Sequence, residues 1–425
     1  MARKVLIALV VVIALLLAAL VGFIVFMEWG NAELPPETTL AAPADTSAAT
    51  EDTPVTTEPG TLPTAAPSDV PTTAAPTQAP TTVPTEPPET EPQDECFLLT
   101  FVGDCTLGST NDNYGIVHSF IHTIGEDYDY PFANVKQYFE ADDFTMANLE
   151  CVFSDERMYS SSQFSFRGPT AYTNILTGSS VEAVTLANNH TPDFGEKGME
   201  HTKAALDSAK VTYVEKNGSA LYTTERGLTI GLYAAAFVLD KEDMEAEIQA
   251  LRDQGADLVV VAFHWGVEGA YRPDGGQTAN AHACIDAGAD IVYGHHPHVL
   301  QKIEEYNGGI IYYSLGNFSF GGNNFPQDYD SAVLQQEVIR TVEGEIKLGK
   351  LTIIPVSCSS ITSHNNFQPT PYPEDSEEYA RVMSKLDGSF KGPNLFVNYE
   401  KLEPTTPATT PATQPPAAPE GTGEG

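Results

Sequence analysis

The sequence predicts an α/β fold built on a parallel sheet, and three observations carry that prediction. Short continuous apolar runs alternate with segments of helical spacing, the pattern of strands buried on both faces. Run after run ends on a side chain able to bind a metal ion, and a parallel sheet places its sites outside the carboxyl ends of its strands. Compositionally biased ends leave residues 95–401 as the folded unit, ample for one large core.

In chain order, Cys96–Val102 is the first apolar run and closes on Gly103 and Asp104. Tyr138–Ala141 reads as the end of a helix, and Asp143–Glu150 as a second strand ending in a carboxylate. Val181–Ala187 is a third strand, running into Asn188, Asn189 and His190. Gly198–Ala209 has helical spacing. Leu228–Phe237 and Asp257–Phe263 are further strands, the latter meeting His264. Gln277–Gly288 is a helix that feeds Ile291, Val292 and Tyr293, a short buried strand ending at Gly294. Three imidazoles, His295, His296 and His298, crowd the turn that follows. Gly309–Ser314 is then a strand capped by Leu315, Gly316, Asn317 and Phe318.

Singly, these polar strand ends have plain explanations as turn residues or surface charges. Together, Asp104, Glu150, Asn189, His264, and His296 with His298 place five such strand ends in one sheet and point to a metal centre. Carboxylate, carboxamide and imidazole donors suit Mn, Fe or Zn better than Ca, which prefers oxygen throughout. Six donors exceed a single tetrahedral zinc. They suit two ions sharing a bridging carboxylate, the arrangement used for in-line attack on phosphoesters.

The ends of the chain have a different character. Arg3 and Lys4 precede Val5–Met27, an apolar run of about 23 residues that spans roughly 34 Å as a helix, enough for a bilayer core of about 30 Å. A secretory signal has a shorter apolar core, so residues 1–30 read as a leader and uncleaved transmembrane anchor. The small-x-small pattern Gly30-Asn31-Ala32 is the alternative, a cleavage site. The basic leader keeps the N-terminus cytoplasmic and puts the rest outside the cell membrane. Residues 31–94 are Thr, Pro, Ala and Glu with 11 acidic residues and no Lys or Arg, a disordered stalk. Residues 402–425 repeat that composition as a disordered tail.

Acidic residues outnumber basic ones 58 to 21, for a net charge of −37. Such a chain is repelled by phosphate backbones, so no nucleic acid partner is expected. Five cysteines give no disulfide framework. Cys105 and Cys151 each follow a predicted ligand on neighbouring strands, and a disulfide between them is one expectation.

The residues Gly103-Asp104, Asn148-Leu149-Glu150, Ala187-Asn188-Asn189-His190 with Asp193 and Gly195, His264-Trp265-Gly266 with Glu268, Gly294-His295-His296-Pro297-His298 and Ser314-Leu315-Gly316-Asn317-Phe318 resemble the capsule synthesis protein CapA family. The order and spacing match from about Leu98 to Phe320. That family is similar to the calcineurin-like metallophosphoesterases, so the resemblance implies a four-layer α/β/β/α sandwich of the metallo-dependent phosphatase type with a dinuclear site. It also implies work on poly-γ-glutamate capsule or a related envelope polymer. Carried over, Asp104 binds one metal, Glu150 bridges, and Asn189 and His264 bind the second. His296 and His298 give one ligand to each, with His295 an alternative to His296. His190 becomes the general acid, oriented by Asp193.

Two departures stand against this. Phosphoesterases place a His two residues after the first Asp, where this chain has Thr106, and their bridging Asp is here the longer Glu150. The expected activity is metal-dependent hydrolysis or transfer. The alternative is a non-catalytic assembly or binding factor for a membrane polymer synthase. Partners implied are the membrane, an anionic envelope polymer or its precursor, and such a synthase. Arg167, Glu268, Arg272 and Asn317 are the substrate-binding candidates, although either arginine could instead pair with a nearby carboxylate. Trp265 reads as packing, and His118, His122, His201, His282 and His364 as structural.

Overall fold

The computed structural model describes residues 93–396, Asp112 and Ser161 excepted. The expected anchor, all but the last two residues of the expected stalk, and the tail lie outside them. Among the described residues no helix is long and apolar enough to cross a membrane.

Two sheets face each other. In the first, β1 (Glu95–Thr106), β3 (Phe144–Leu149), β6 (Ala183–Thr185) and β7 (Thr212–Val214) lie side by side and parallel. On its other edge β1 pairs antiparallel with β15 (Asp330–Arg340), followed by β16 (Ile346–Ser357) and the short β17 (Thr370–Pro371). Beyond Phe101 that edge passes to β14 (Asn317–Phe320), which runs parallel to β1 with Asn317 opposite Asp104. The second sheet has the order β12 (Ile303–Tyr306), β13 (Gly309–Tyr312), β11 (Ile291–His295), β10 (Leu258–His264), β9 (Thr229–Ala236) and β8 (Gly218–Thr223). Its four central strands are parallel and its two edges antiparallel. A small ribbon joins β2 (Ser109–Thr110), β5 (Phe166–Gly168) and β4 (Val152–Phe153) beside the first sheet's carboxyl ends.

Alternation along each strand decides the layers, because successive side chains point to opposite faces. Phe97, Leu99 and Phe101 of β1 meet Leu258, Val260 and Ala262 of β10 in a core between the sheets. Phe101 sits 5.1 Å from the Tyr293 ring and 5.7 Å from that of Tyr312. Truncating a ring so enclosed costs roughly 3–5 kcal/mol. The outer face of the first sheet, with Val102, Ala147 and Val184, is covered by α1 (Phe120–Ile124), α2 (Lys136–Phe139), α3 (Thr173–Thr177) and α4 (Gly195–Ala209). The outer face of the second, with Val259, Val261 and Phe263, is covered by α5 (Lys241–Asp253) and α6 (Gly275–Asp286). Asp240 caps α5 by accepting from the Glu242 and Asp243 amides, and Asp274 with Gln277 forms a capping box on α6. A last helix, α7 (Glu377–Leu386), sends Val382 and Leu386 into the central core beside β15 and β16. The layers are thus helix, sheet, sheet, helix.

Three expectations need correction. The polar strand ends do not belong to one sheet: Asp104 and Glu150 extend the first, and His264 and His295 end the second. Apolar periodicity identifies a buried strand but not its partner, so two facing sheets read like one. The third strand covers only Ala183–Thr185, and Asn188–His190 are loop. Residues 315–318 do not merely cap a strand. The chain leaves the second sheet at Tyr312 and enters the first at Asn317.

Candidate metal centre

Both sheets deliver their carboxyl ends to the same place. Asp104 is carried inside β1 by a register shift after Phe101, and its amide donates to the Gly316 carbonyl at 2.8 Å. Gly103 permits this approach, since a Cβ there would overlap the Gly316 carbonyl oxygen. Glu150 follows β3 directly, with its amide held by the Cys105 carbonyl at 2.9 Å. From the other sheet, His264 and His295 lie opposite one another in neighbouring strands. His296 and His298 then turn with φ of 94° and 55°, conformations that non-glycine residues seldom adopt and that cluster at functional sites.

The side chains converge. Asp104 Oδ1 accepts from His295 Nδ1 at 2.8 Å and from Asn148 Nδ2 at 2.9 Å, and Asp104 Oδ2 lies 3.2 Å from His298 Nδ1. Glu150 Oε1 lies 3.7 Å from His264 Nε2 and 4.0 Å from His190 Nε2. His264 Nε2 is 2.6 Å from Asn189 Oδ1, and His298 Nδ1 is 2.9 Å from Asn317 Oδ1. His190 Nδ1 is 3.0 Å from Asp193 Oδ2, which also accepts the Phe166 amide at 2.7 Å. Aromatic rings close the periphery: Phe237 against His264 and His296, Phe166 against His190, and Phe320 against His298.

Asp104 and Glu150 are fully buried, and among the described residues neither forms an ion pair with Lys or Arg. Buried polar atoms are nearly always hydrogen-bonded. Here both Glu150 oxygens, Asp104 Oδ2, His264 Nδ1, His295 Nε2 and His296 Nδ1 have no hydrogen-bond partner among the described residues. Burial alone would raise the Asp104 carboxyl, but the His295 hydrogen bond and the nearby His298 imidazole hold it well below the carboxylate range. Glu150 goes the other way, pushed well up by burial and then by the Asp104 charge. Burial and the neighbouring imidazoles hold His264 well below its usual range and bring His296 down to about 4. Burial also opposes charge on His298, yet Glu150 and Asp104 outweigh it and raise that imidazole to about 10.

This donor set fits a divalent cation. His264 and His296 are held neutral, as ligation requires, and among the described residues the two carboxylates have imidazoles but no Lys or Arg beside them. Asp104, Glu150 and His298 offer donor atoms within 4.8 Å of one another, and so do Glu268, His296 and His298.

The centre opens into a cleft of about 690 Å³, lined by Asn189, His190, Asp193, Glu268, His298 and Asn317 among others, with Phe164, Phe166, Phe320 and Asp328 also on its walls. Among the described residues no Lys or Arg lines it. Arg167 is buried elsewhere, donating to the Ser154 carbonyl at 2.8 Å with its guanidinium 4.3 Å from the Tyr114 ring centre. Arg272 is exposed and binds the Gly392 carbonyl at 2.9 Å. The structure therefore brings Glu268 and Asn317 to the cleft, but neither arginine. Trp265 packs outward, stacked on Phe263, with its Nε1 donating to the Tyr313 carbonyl. Cys105 and Cys151 are free, buried thiols, correcting the expected disulfide; the register sets Cys105 opposite Leu149 and leaves Cys151 beyond the strand.

The sequence reading missed Asn148 and Asn188 as site residues. Asn148 Oδ1 accepts from Asn188 Nδ2 at 3.0 Å, and the Asn188 amide also reaches the Leu149 carbonyl at 2.9 Å. This pair fixes Asp104 and the backbone before Glu150. The available signal was period two: Asn148 and Glu150 fall on the same face of an otherwise apolar run.

The chain is 32% identical over 274 residues to the "Capsule biosynthesis protein CapA" of Bacillus anthracis, covering 57% of this chain and 64% of that protein. It is 29% identical over 322 residues to the "PGA biosynthesis protein CapA" of Bacillus subtilis, covering 69% and 78%. A "Probable polyglutamine synthesis accessory protein" of Mycobacterium tuberculosis is 31% identical over 216 residues, covering 42% and 55%. Among solved structures, the Haemophilus influenzae NAD nucleotidase aligns with a TM-score of 0.35 at 11% identity, covering 70% of this chain and 57% of that one, a likeness too slight to carry fold or function. The family model described as "Bacterial capsule synthesis protein PGA_cap" matches residues 98–322, which span the converging carboxylates and imidazoles and more than half of the chain, and the chain belongs to that family.

Proposed function

We propose that this protein is a metal-dependent hydrolase or transferase, anchored by residues 5–27 with its main domain outside the membrane, that serves synthesis of poly-γ-glutamate capsule or a related anionic envelope polymer. The relatives' names supply the polymer, and the convergence of six unpartnered buried polar atoms around Asp104 and Glu150 carries the chemistry. On the pattern of the metallo-dependent phosphatases, Asp104 and His298 would hold one ion, Glu150 would bridge, and Asn189, His264 and His296 would hold the second. When bound, such ions polarise the ester or amide and lower the pKa of a water toward neutrality.

The chain's own residues do the rest. With Nδ1 committed to Asp193, His190 has Nε2 free on the cleft wall, where it hands its proton to the leaving oxygen or nitrogen. Asp193, itself fixed by the Phe166 amide, sets the ring's tautomer and direction. Phe166, Phe320 and Phe237 exclude water from the imidazoles they abut, which strengthens every charge interaction inside.

A second reading has a specific observation in its favour. Thr106 stands where a phosphoesterase supplies an imidazole, and its buried Oγ1 has no hydrogen-bond partner among the described residues. A centre short of one ligand suits an assembly factor that lends its surface to a membrane polymer synthase. The test is elemental analysis of the chelated and then Mn- or Zn-loaded chain, beside a His296→Ala/His298→Ala variant, with a phosphodiester hydrolysis assay on both. Near-stoichiometric metal that the variant loses, with metal-dependent turnover, supports the enzyme. Metal without turnover moves the protein to the assembly reading, and no metal above background after loading overturns the metal centre.

A further inference from the structure

We propose that Glu268 is a metal ligand, completing with His296 a cation position beside that of Asp104, Glu150 and His298. The inference rests on the metal-centre reading above and assigns Glu268 to ligation in place of substrate contact. Donor atoms of Glu268, His296 and His298 all lie within 4.8 Å of one another. His296 is 91% buried by its 9% exposure, and its Nδ1 has no hydrogen-bond partner. The Glu268 carboxylate, half-buried on the cleft wall, makes no hydrogen bond or ion pair among the described residues. By contrast, His264 and Asn189, the ligands expected for the second ion, contact each other at 2.6 Å.

The backbone holds Glu268 in place. The segment that carries it is tied to the histidine turn at both ends. The Trp265 amide donates to the His295 carbonyl at 3.1 Å, and the Gly269 amide to the Pro297 carbonyl at 2.8 Å. Trp265 Nε1 on Tyr313, and Gln301 Nε2 on the Ala270 carbonyl at 2.7 Å, lock the flanks. A side chain built only to meet a mobile substrate does not need both ends of its loop fixed to the turn that bears the imidazoles. A ligand does, because coordination tolerates little displacement. The carboxylate also answers the deficit at Thr106: the imidazole missing from β1 is replaced by a donor arriving from the other sheet.

His298 lies within donor distance of both groups but serves one ion, so losses at Glu268 and at Asp104 tell the two positions apart. Metal content is measured by inductively coupled plasma mass spectrometry on the full chain after chelation and Mn loading, with Mn electron paramagnetic resonance as a second readout. Wild type is expected to hold two ions per chain with an exchange-coupled spectrum. Glu268→Gln should hold one, give the six-line spectrum of an isolated ion, and bind the second at least about 100-fold more weakly, beyond the loss outer-shell changes cause. Asp104→Asn should also lose one, the ion it holds with His298. Unchanged melting of chelated Glu268→Gln shows that the fold is intact. Two ions and a coupled spectrum in Glu268→Gln overturn the assignment while leaving the metal centre standing. A wild type holding a single ion that Glu268→Gln retains also overturns it, and one that Glu268→Gln loses supports it. No ion in wild type overturns the metal centre itself, and this inference with it.

Discussion

Two buried carboxylates, Asp330 and Glu150, live under opposite conditions in the same molecule. Asp330 opens β15 with a side chain closed to solvent, and accepts from Arg381 Nε and Nη2 at 2.7 Å and from Lys385 Nζ at 2.7 Å. Lys385 also reaches Asp328 at 2.6 Å. Burial raises the Asp330 carboxyl, yet these cations outweigh it and hold the group low. Glu150 is equally buried and has no Lys or Arg among its described partners. The first charge is neutralised by the chain's own helix α7, whereas the second meets only imidazoles among the described residues. Structural and functional burial of charge are told apart by that difference, more than by depth.

The largest effect expected from this contrast is on the structural side. Lys385→Met strands Asp328 and leaves Asp330 with one cation, and breaking a buried pair costs about 3–5 kcal/mol. Urea denaturation should show that loss while metal content per folded chain stays at the wild-type value; a milder loss, or a loss of metal, would blur the distinction between the two carboxylates. On the functional side the sign reverses. Glu150→Gln removes a carboxylate whose charged form burial and Asp104 disfavour, so at pH 8 the chelated variant should be more stable than chelated wild type by about 1 kcal/mol, yet bind no bridged ion pair. Destabilisation of the chelated variant would mean that Glu150 has a partner within the fold.

The smallest effect is a pH dependence. Glu150 has a folded pKa raised well above its ordinary 4.5, so its contribution is fully present below 4.5 and is lost as pH rises through the folded value. Asp330 has a folded pKa lowered from 3.8, so its contribution is present above 3.8 and is lost as pH falls through the lower folded value. Chelated Glu150→Gln should therefore lack part of the decline in melting temperature that chelated wild type shows above pH 4.5. Parallel curves would sink that attribution.

The same contrast marks what was legible in the sequence. Asp104, Glu150, His264 and the histidine turn could be read because each sits where an apolar run stops, and local periodicity locates such stops. Asp330 and Lys385 could not, because their pairing joins a strand to a helix 55 residues away and no local pattern announces it. Nor did periodicity separate the two sheets. Arg167 and Arg272 drew attention as cations on an acidic chain, but their direction is set by the Ser154 and Gly392 carbonyls, which only the fold brings near. Glu268 was visible beside His264 in the sequence; its nearness to His296 and His298 depends on loop hydrogen bonds that sequence does not display.

The handover of β1 from β15 to β14 bears on how fast the protein forms and comes apart. Asp104 meets Asn317, and His295 meets Asp104, only after chain segments far apart in sequence have closed on each other. Contacts of that kind form late, because loop closure comes before their reward. Interactions absent from the folding transition state act on the unfolding rate alone. An ion bound where the two sheets converge should therefore leave refolding speed unchanged and lengthen the lifetime of the folded chain, making the centre a brake on unfolding.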